Sequence, residues 1–340
     1  MSALRVVLTG ATGFVGSRVL HALTSTTRDT PHGTGRGSGR ELSIRALGRS
    51  ATAPASAPPG VTWTPVDLTD RASLRKAASG ADVLIHLASR ISGDEAQCAA
   101  VNVEGTTALV DEAAHWGVDR IVHLSTAAVY GPGPHHGIAV DEITPAPVSP
   151  ASRTRLAGEA PVLAAGGTIL RPGLVLGAGD RWVVPALAEL LERVPAHWDG
   201  GRGLLSVVDV DDLARLIATL ATAQEAPPSG VHHASHPRPV SNGELMAELA
   251  ALGILPKPEE DWPWETCVAR LHATPGRTSE RQFSLLAQDH WYASEEIWRV
   301  SSCPPGPGPL ARLAAAASWY RAFLAGRART GWTYSRRDGT

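Results

Sequence analysis

Three groups of residues have types and spacings that do chemistry. Thr9-Gly10-Ala11-Thr12-Gly13-Phe14-Val15-Gly16 sets three glycines as G-x-x-G-x-x-G between an apolar run and a helical pattern. Gly10 permits a tight turn, Gly13 lets the backbone approach a pyrophosphate, and Gly16 lets the helix pack closely on a sheet. Backbone N–H groups at such a helix start face phosphates. A dinucleotide site is therefore expected at Gly10, Thr12, Gly13, Phe14, Val15 and Gly16, although a purely structural turn has the same spacing. The second group is Ser125 and Thr126, whose hydroxyls can support a developing alkoxide without transferring a proton. The third is Ser149–Glu159, which contains Arg155 but no tyrosine, histidine or lysine. Arg155 can donate hydrogen bonds, but its pKa lies too far above neutrality for a general acid.

The elements that must position these groups alternate along the chain. Short β-branched runs occur at Arg5–Thr9, Ser43–Leu47, Thr62–Pro65, Val83–Leu87, Ile121–Ser125 and Thr168–Arg171, with a seventh near Val231–Ala234. Helical patterns such as Gly16–Leu23, Ala72–Ala78, Val103–Trp116 and Ser152–Ala165 separate them. This predicts an α/β fold: a Rossmann, doubly wound parallel sheet with right-handed crossovers. After Arg171 the pattern is irregular, with helices expected over Trp182–Trp198, Asp209–Ala221 and Ser241–Leu252. Ser241 is a candidate N-cap, with Glu244 three residues later.

The expected division is a dinucleotide-binding domain from residues 1–172 plus about 204–236, and a smaller, mostly helical C-terminal substrate subdomain from 173–203 plus 237–330. Segment 256–298 holds Trp262, Trp264, Trp291, Tyr292 and Trp298, which suit an apolar pocket under a lid or the subdomain's own core equally well. Thr24–Arg40 and Ala51–Gly60 read as flexible loops, and Gly131–Pro150 as a surface segment beside the cleft.

Bulk properties exclude several classes. A net charge of -2 over 340 residues argues against a nucleic-acid or anionic-membrane partner. Cys98, Cys267 and Cys303 form no C-x-x-C pair or disulfide framework, so a cytoplasmic location is expected. No run has the length of a signal-peptide core or a membrane span. No metal site is expected. Lysine occurs only at Lys76 and Lys257, so arginine at 155 fits the composition.

Further motifs follow in a fixed order: Asp67-Leu68, Ile85-His86-Leu87-Ala88-Ser89, Asn102-Val103-Glu104-Gly105-Thr106, Leu124-Ser125-Thr126-Ala127-Ala128-Val129-Tyr130-Gly131, Arg171-Pro172-Gly173, and Val208-Asp209-Val210-Asp211-Asp212-Leu213-Ala214. Together with the glycine turn, they resemble the extended short-chain dehydrogenases/reductases, the epimerase/dehydratase-like group, over most of residues 4 to 250. The resemblance implies an adenine contact at Asp67 and Leu68. It implies pyrophosphate and ribose contacts at Leu87, Ala88 and Ser89, and a further cofactor contact at Pro172. The run Ile44-Arg45-Ala46-Leu47-Gly48-Arg49 is similar to that of NADP-preferring members. Arg49, with Arg45 as a second candidate, would bond a 2′-phosphate, so NADPH is favoured and NADH is the alternative.

The departure from the family lies at Ser149–Glu159. Members of the family place tyrosine where Ala151 stands and lysine where Arg155 stands, and no Tyr-x-x-x-Lys occurs anywhere in the chain. The resemblance leaves Arg155 to hold ribose or nicotinamide, and Thr126 or Ser125 to orient a carbonyl. Loss of a general acid costs about 10²–10⁴ in rate. His86, His135 and His136 are candidate replacements, as is the substrate itself. A carbonyl beside a phenol carries its own hydrogen bond, and a positioned oxyanion donor is worth about 2.7–4 kcal/mol. The expected activity is NAD(P)H-dependent ketone reduction on a bulky aromatic polyketide-type small molecule, as in atypical reductases of antibiotic biosynthesis. The alternatives are a sugar-nucleotide epimerase or dehydratase holding NAD tightly, and a non-catalytic NADP-binding sensor or scaffold.

Overall fold

β1 (Leu4–Thr9), β2 (Leu42–Gly48), β3 (Val61–Pro65), β4 (Val83–His86) and β5 (Arg120–Leu124) join Thr168–Arg171 and Gly230–His233 in one seven-stranded sheet. The structure is a computed structural model that describes residues 3–26, 41–50, 52–55 and 57–330. From one edge the order is Gly230–His233, Thr168–Arg171, β5, β4, β1, β2, β3. Every pairing is parallel. The chain winds one way from β1 to β3 and the other way from β4 onward. A crevice therefore opens at the carboxyl ends of β1 and β4. Thr9 pairs with Leu47 on one side and with His86 on the other, so the glycine turn leaves the sheet inside that crevice.

The strands are apolar on both faces because helices cover both. Val6, Leu8, Ile85 and Val122 share a core with Val19, Leu20 and Leu23 of helix Phe14–Thr26 and with Leu213, Leu216 and Ile217 of helix Val210–Thr222. Val7, Leu84, Ile121 and Ile169 point the other way, against Leu109, Val110 and Ala113 of Thr106–His115 and Val162 of Pro150–Ala164. The period of two along each strand thus sorts two cores.

A second lobe contains helices Val183–Arg193, Asn242–Ala251, Trp264–Ala273, Glu280–Ala287 and Leu313–Thr330. Its core includes Leu187, Leu190, Trp198, Leu245, Phe283 and Tyr320. The Ser241–Glu244 capping box forms as expected. The lobe also carries a four-stranded sheet of Val240–Ser241, Leu204–Leu205, His290–Tyr292 and His135–Ile138. Such short strands leave no readable period, so the sequence gave no sign of this sheet. Trp262 and Trp264 of segment 256–298 pack on the second core, with Trp264 stacked on Phe283 at 4.9 Å, while Trp298 joins the first core.

Two crossovers differ from expectation. The helix expected over Ala72–Ala78 stops at Leu74, and Lys76 adopts a φ of 65°. The one expected from Val103 starts at Glu95, set by an Asp94–Gln97 capping box, and reaches Thr106–His115 through a π turn at Ala100–Gly105. Most of the Thr24–Arg40 loop lies outside the described residues, and its first residues extend the helix to Thr26. Among the described residues no helix is long and apolar enough to cross a membrane.

Candidate active site

The glycine turn is held in shape by its neighbours. Gly10 has a φ of 72°, and a Cβ there would lie 2.7 Å from the Ala88 nitrogen. A Cβ on Gly16 would lie 2.0 Å from the Gly10 carbonyl oxygen. Neither position admits a side chain, and the Gly13 amide closes the turn by donating to the Gly10 carbonyl at 2.9 Å. Thr12 and Gly13 stay exposed, while Phe14 and Val15 are partly buried at the helix start. A cradle of this kind, with free amides at a helix N-terminus and backbone approach on one side, fits a pyrophosphate.

His86 braces the crevice floor. Thr9 Oγ1 accepts from the Leu87 and Ala88 amides, each at 3.2 Å, and lies 2.7 Å from His86 Nδ1. The threonine proton therefore goes to Nδ1, which leaves Nε2–H for Thr106 Oγ1 at 3.0 Å. Burial pushes His86 down to about 4, so it is neutral. With both nitrogens engaged and no exposure, His86 has no proton to give a substrate. His123, which sequence reasoning missed, stacks on it at 4.9 Å and approaches the His86 carbonyl through Nδ1 at 3.1 Å. Burial, with the positive charges of His86 and Arg155 nearby, holds His123 well below the ordinary histidine range. His135 is buried in the small sheet, and exposed His136 pairs with Asp289 at 2.8 Å.

Asn102 locks the loop after β4 to the helix that carries position 155. Its Oδ1 accepts from the Arg90 amide at 2.7 Å. Its Nδ2 donates to the Arg90 carbonyl at 2.8 Å and to Thr154 Oγ1 at 2.9 Å. Leu87, Ala88 and Ser89 thus line the crevice as partly exposed residues on a fixed loop.

The two hydroxyls after β5 have different surroundings. Ser125 is fully enclosed, and its Oγ donates to Glu159 Oε1. Thr126 is partly exposed; its Oγ1 accepts from the Ala128 amide at 3.2 Å, which keeps its own proton available. Glu159 in turn accepts from Arg171, whose Nη1 donates to Tyr130 Oη at 2.9 Å, and Tyr130 Oη lies 2.7 Å from His233 Nε2. Tyr130 is buried in this network, and burial raises its pKa. Pro172 is buried, and its carbonyl accepts from the Ala127 amide at 2.9 Å.

Helix Pro150–Ala164 begins with a Ser149–Ser152 capping box. Ala151 lies in its first turn, partly exposed. One turn later, Arg155 Nη2 donates to the Leu124 carbonyl at 3.0 Å and the Ser125 carbonyl at 2.6 Å. Arg155 Nε is buried without a partner. Burial lowers its pKa to about 10, against the pull of Glu159, so the guanidinium stays charged at neutral pH.

Arg49 is exposed past the end of β2, and its charge helps hold Asp67 below the usual carboxylate range. The larger causes are the Thr69 amide and hydroxyl, which donate to Asp67 Oδ1 at 2.9 and 2.8 Å. Leu68 is partly buried beside it. Arg45 is committed elsewhere, since its Nη1 donates to the carbonyls of Ala77 and Ser79. Among the described residues no group of three or more His, Cys, Asp or Glu could hold a metal.

Comparisons with known proteins agree with this geometry. Residues 6–233 match the model of the NAD dependent epimerase/dehydratase family. Over 262 residues, 73% of this chain and 72% of the relative, the sequence is 30% identical to a 4-hydroxy-2-methyl-3-oxo-4-farnesyl-3,4-dihydroquinoline-1-oxide ketoreductase of Stigmatella aurantiaca. It is 26% identical to a 2-alkyl-3-oxoalkanoate reductase of Stenotrophomonas maltophilia, over 87% of this chain and 93% of that one. The fold is shared with a dTDP-glucose 4,6-dehydratase of Streptomyces venezuelae with NAD and TYD bound, at a TM-score of 0.67 and 20% identity, over 95% of this chain and 98% of that one. The chain belongs to the NAD dependent epimerase/dehydratase family.

Proposed function

We propose that this chain, an NAD(P)-dependent oxidoreductase of that family, is a ketoreductase for a bulky aromatic ketone with a hydroxyl beside the carbonyl. The supporting observation is a shaped dinucleotide cradle at Gly10–Gly16 next to a site where Ala151 replaces a proton donor and Thr126 still offers a hydroxyl. A bound nicotinamide cofactor supplies the hydride. Thr126, rather than enclosed Ser125, is the residue proposed to hold the carbonyl oxygen. The substrate's own hydroxyl is proposed to steady the charge that develops there, and water then protonates the alkoxide. The Stigmatella relative is named for a 3-oxo group beside a 4-hydroxy carbon, which supports a substrate of this type.

NADPH is the proposed cofactor, with NADH the alternative. The proposal rests on exposed Arg49, with Arg45 no longer a candidate. A lobe built on segment 256–298 is proposed to cover the substrate.

The test mixes the purified protein with NADPH or NADH and a panel of aromatic ketones, with and without a neighbouring phenol, while cofactor oxidation is followed. Oxidation confined to phenol-flanked ketones is the expected result. Equal turnover of ketones lacking the phenol would remove substrate assistance. Silence across the panel would move the reading to a protein that binds the cofactor without using it.

A further inference from the structure

We propose that Arg155 is the fixed positive charge that carries the alkoxide, in place of a proton donor; this rests on the ketoreductase reading above. Three observations converge on it.

The first is position. Helix Pro150–Ala164 runs past the carboxyl end of β5, and Arg155 Nη2 is fastened to the carbonyls of Leu124 and Ser125. Those residues immediately precede Thr126, whose hydroxyl faces the crevice. Two carbonyl anchors fix the planar guanidinium, whereas an ammonium on a flexible stem would be free to swing.

The second is an unmet donor. Arg155 Nε is enclosed and has no partner. Native structures rarely leave a buried N–H bare, so an oxygen from a bound molecule is its natural acceptor.

The third is charge balance. Glu159 lies one helical turn away, but both its oxygens are taken by Arg171, and Oε1 also accepts from Ser125. Its charge is spent on Arg171, and Arg155 keeps its own. A preorganised cation in a dry site stabilises developing negative charge more than one in water does.

In this step a C–H bond forms at the carbonyl carbon and the carbonyl π pair becomes an alkoxide lone pair. The nicotinamide donor is oxidised, and solvent water supplies the proton afterwards. Arg155 gives up no proton.

The experiment compares the wild type with Arg155→Lys, which keeps the charge, and Arg155→Gln, which keeps donors without it. Two readouts are taken on ortho-acetylnaphthol: kcat with NADPH, and the absorption band of the bound ketone with oxidised NADP, where no turnover occurs. The inference expects a red-shifted band in the wild type and Arg155→Lys that is absent in Arg155→Gln. It expects kcat to fall by about 10²–10³ in Arg155→Gln and by less than about tenfold in Arg155→Lys. Oxidised NADP should bind all three alike by calorimetry. An unshifted band in the wild type, or Arg155→Gln matching the wild type in band and rate, overturns the inference. So does loss of NADP binding in both variants, because Arg155 would then be a cofactor ligand. If the wild type reduces no ketone, the ketoreductase reading fails, and the band shift still decides whether the charge faces a bound carbonyl.

Discussion

Glu159 and Arg171 meet as a two-pronged ion pair: Nε donates to Oε1 at 3.0 Å and Nη2 to Oε2 at 2.5 Å, with side chains 3% and 5% exposed. The pair ties helix Pro150–Ala164 to strand Thr168–Arg171 beneath Thr126. Removing one partner of a buried pair leaves an uncompensated charge, at a cost of about 3–5 kcal/mol. Glu159→Ala should lower the unfolding free energy in urea by that amount. An unfolding midpoint and slope equal to the wild type's would show that the pair contributes nothing.

Arg49 is the remaining candidate for a 2′-phosphate, since Arg45 caps the turn at Ala77 and Ser79. Arg49→Ala should raise the KM for NADPH by about tenfold or more, in line with a charge-assisted bond, and leave that for NADH nearly unchanged. Steady-state kinetics with both cofactors checks this, and equal effects would remove Arg49 from the phosphate site.

The glycine turn, the seven strands of the sheet and the Ser241–Glu244 box were legible because each is a local pattern. What was not legible depends on contacts across the fold. Thr9 and His86 lie 77 positions apart, and nothing in their spacing announces that the histidine is a brace rather than a donor. Ser125 and Thr126 looked equivalent as neighbouring hydroxyls. Only the approach of Glu159, 34 positions away, separates them. Arg45 read as a phosphate ligand until its carbonyl partners were seen.

Four buried histidines make stability sensitive to acid. Burial pushes His86, His233 and His290 down to about 4, and His123 well below its ordinary range. In the unfolded chain each takes up a proton near pH 6.5. Between that pH and about 4 the unfolded state binds more protons, so stability falls as pH falls. Each histidine contributes a loss of roughly 2 kcal/mol by pH 5. Asp209, raised to about 6 chiefly by burial, acts in the opposite direction and offsets part of this. The urea midpoint should therefore drop between pH 7 and pH 5. His290, whose Nε2 is buried and unpartnered, offers the cleanest control. His290→Phe should show a visibly shallower drop, and an unchanged slope would contradict the assignment.

Restoring the family pair tests what its loss achieves. Ala151 and Arg155 stand one turn apart on a helix whose N-terminus is fixed by Ser149 and Ser152. Ala151 is partly exposed at the crevice end, so a tyrosine ring there has an outlet rather than a packed core to displace. Arg155→Lys keeps the charge. The double variant Ala151→Tyr/Arg155→Lys should then gain a general acid, whose contribution is about 10²–10⁴ in rate. That gain should appear on acetophenone, which has no neighbouring hydroxyl. It should be less than about tenfold on ortho-acetylnaphthol, where a hydrogen bond worth about 2.7–4 kcal/mol is already in place. The ratio of the two kcat values with NADPH is the measurement, because it cancels changes in cofactor binding common to both ketones. A gain of equal size on both would mean that the neighbouring hydroxyl does no work in the wild type, and no gain on acetophenone with NADPH still bound would mean that position 151 does not reach the reacting oxygen.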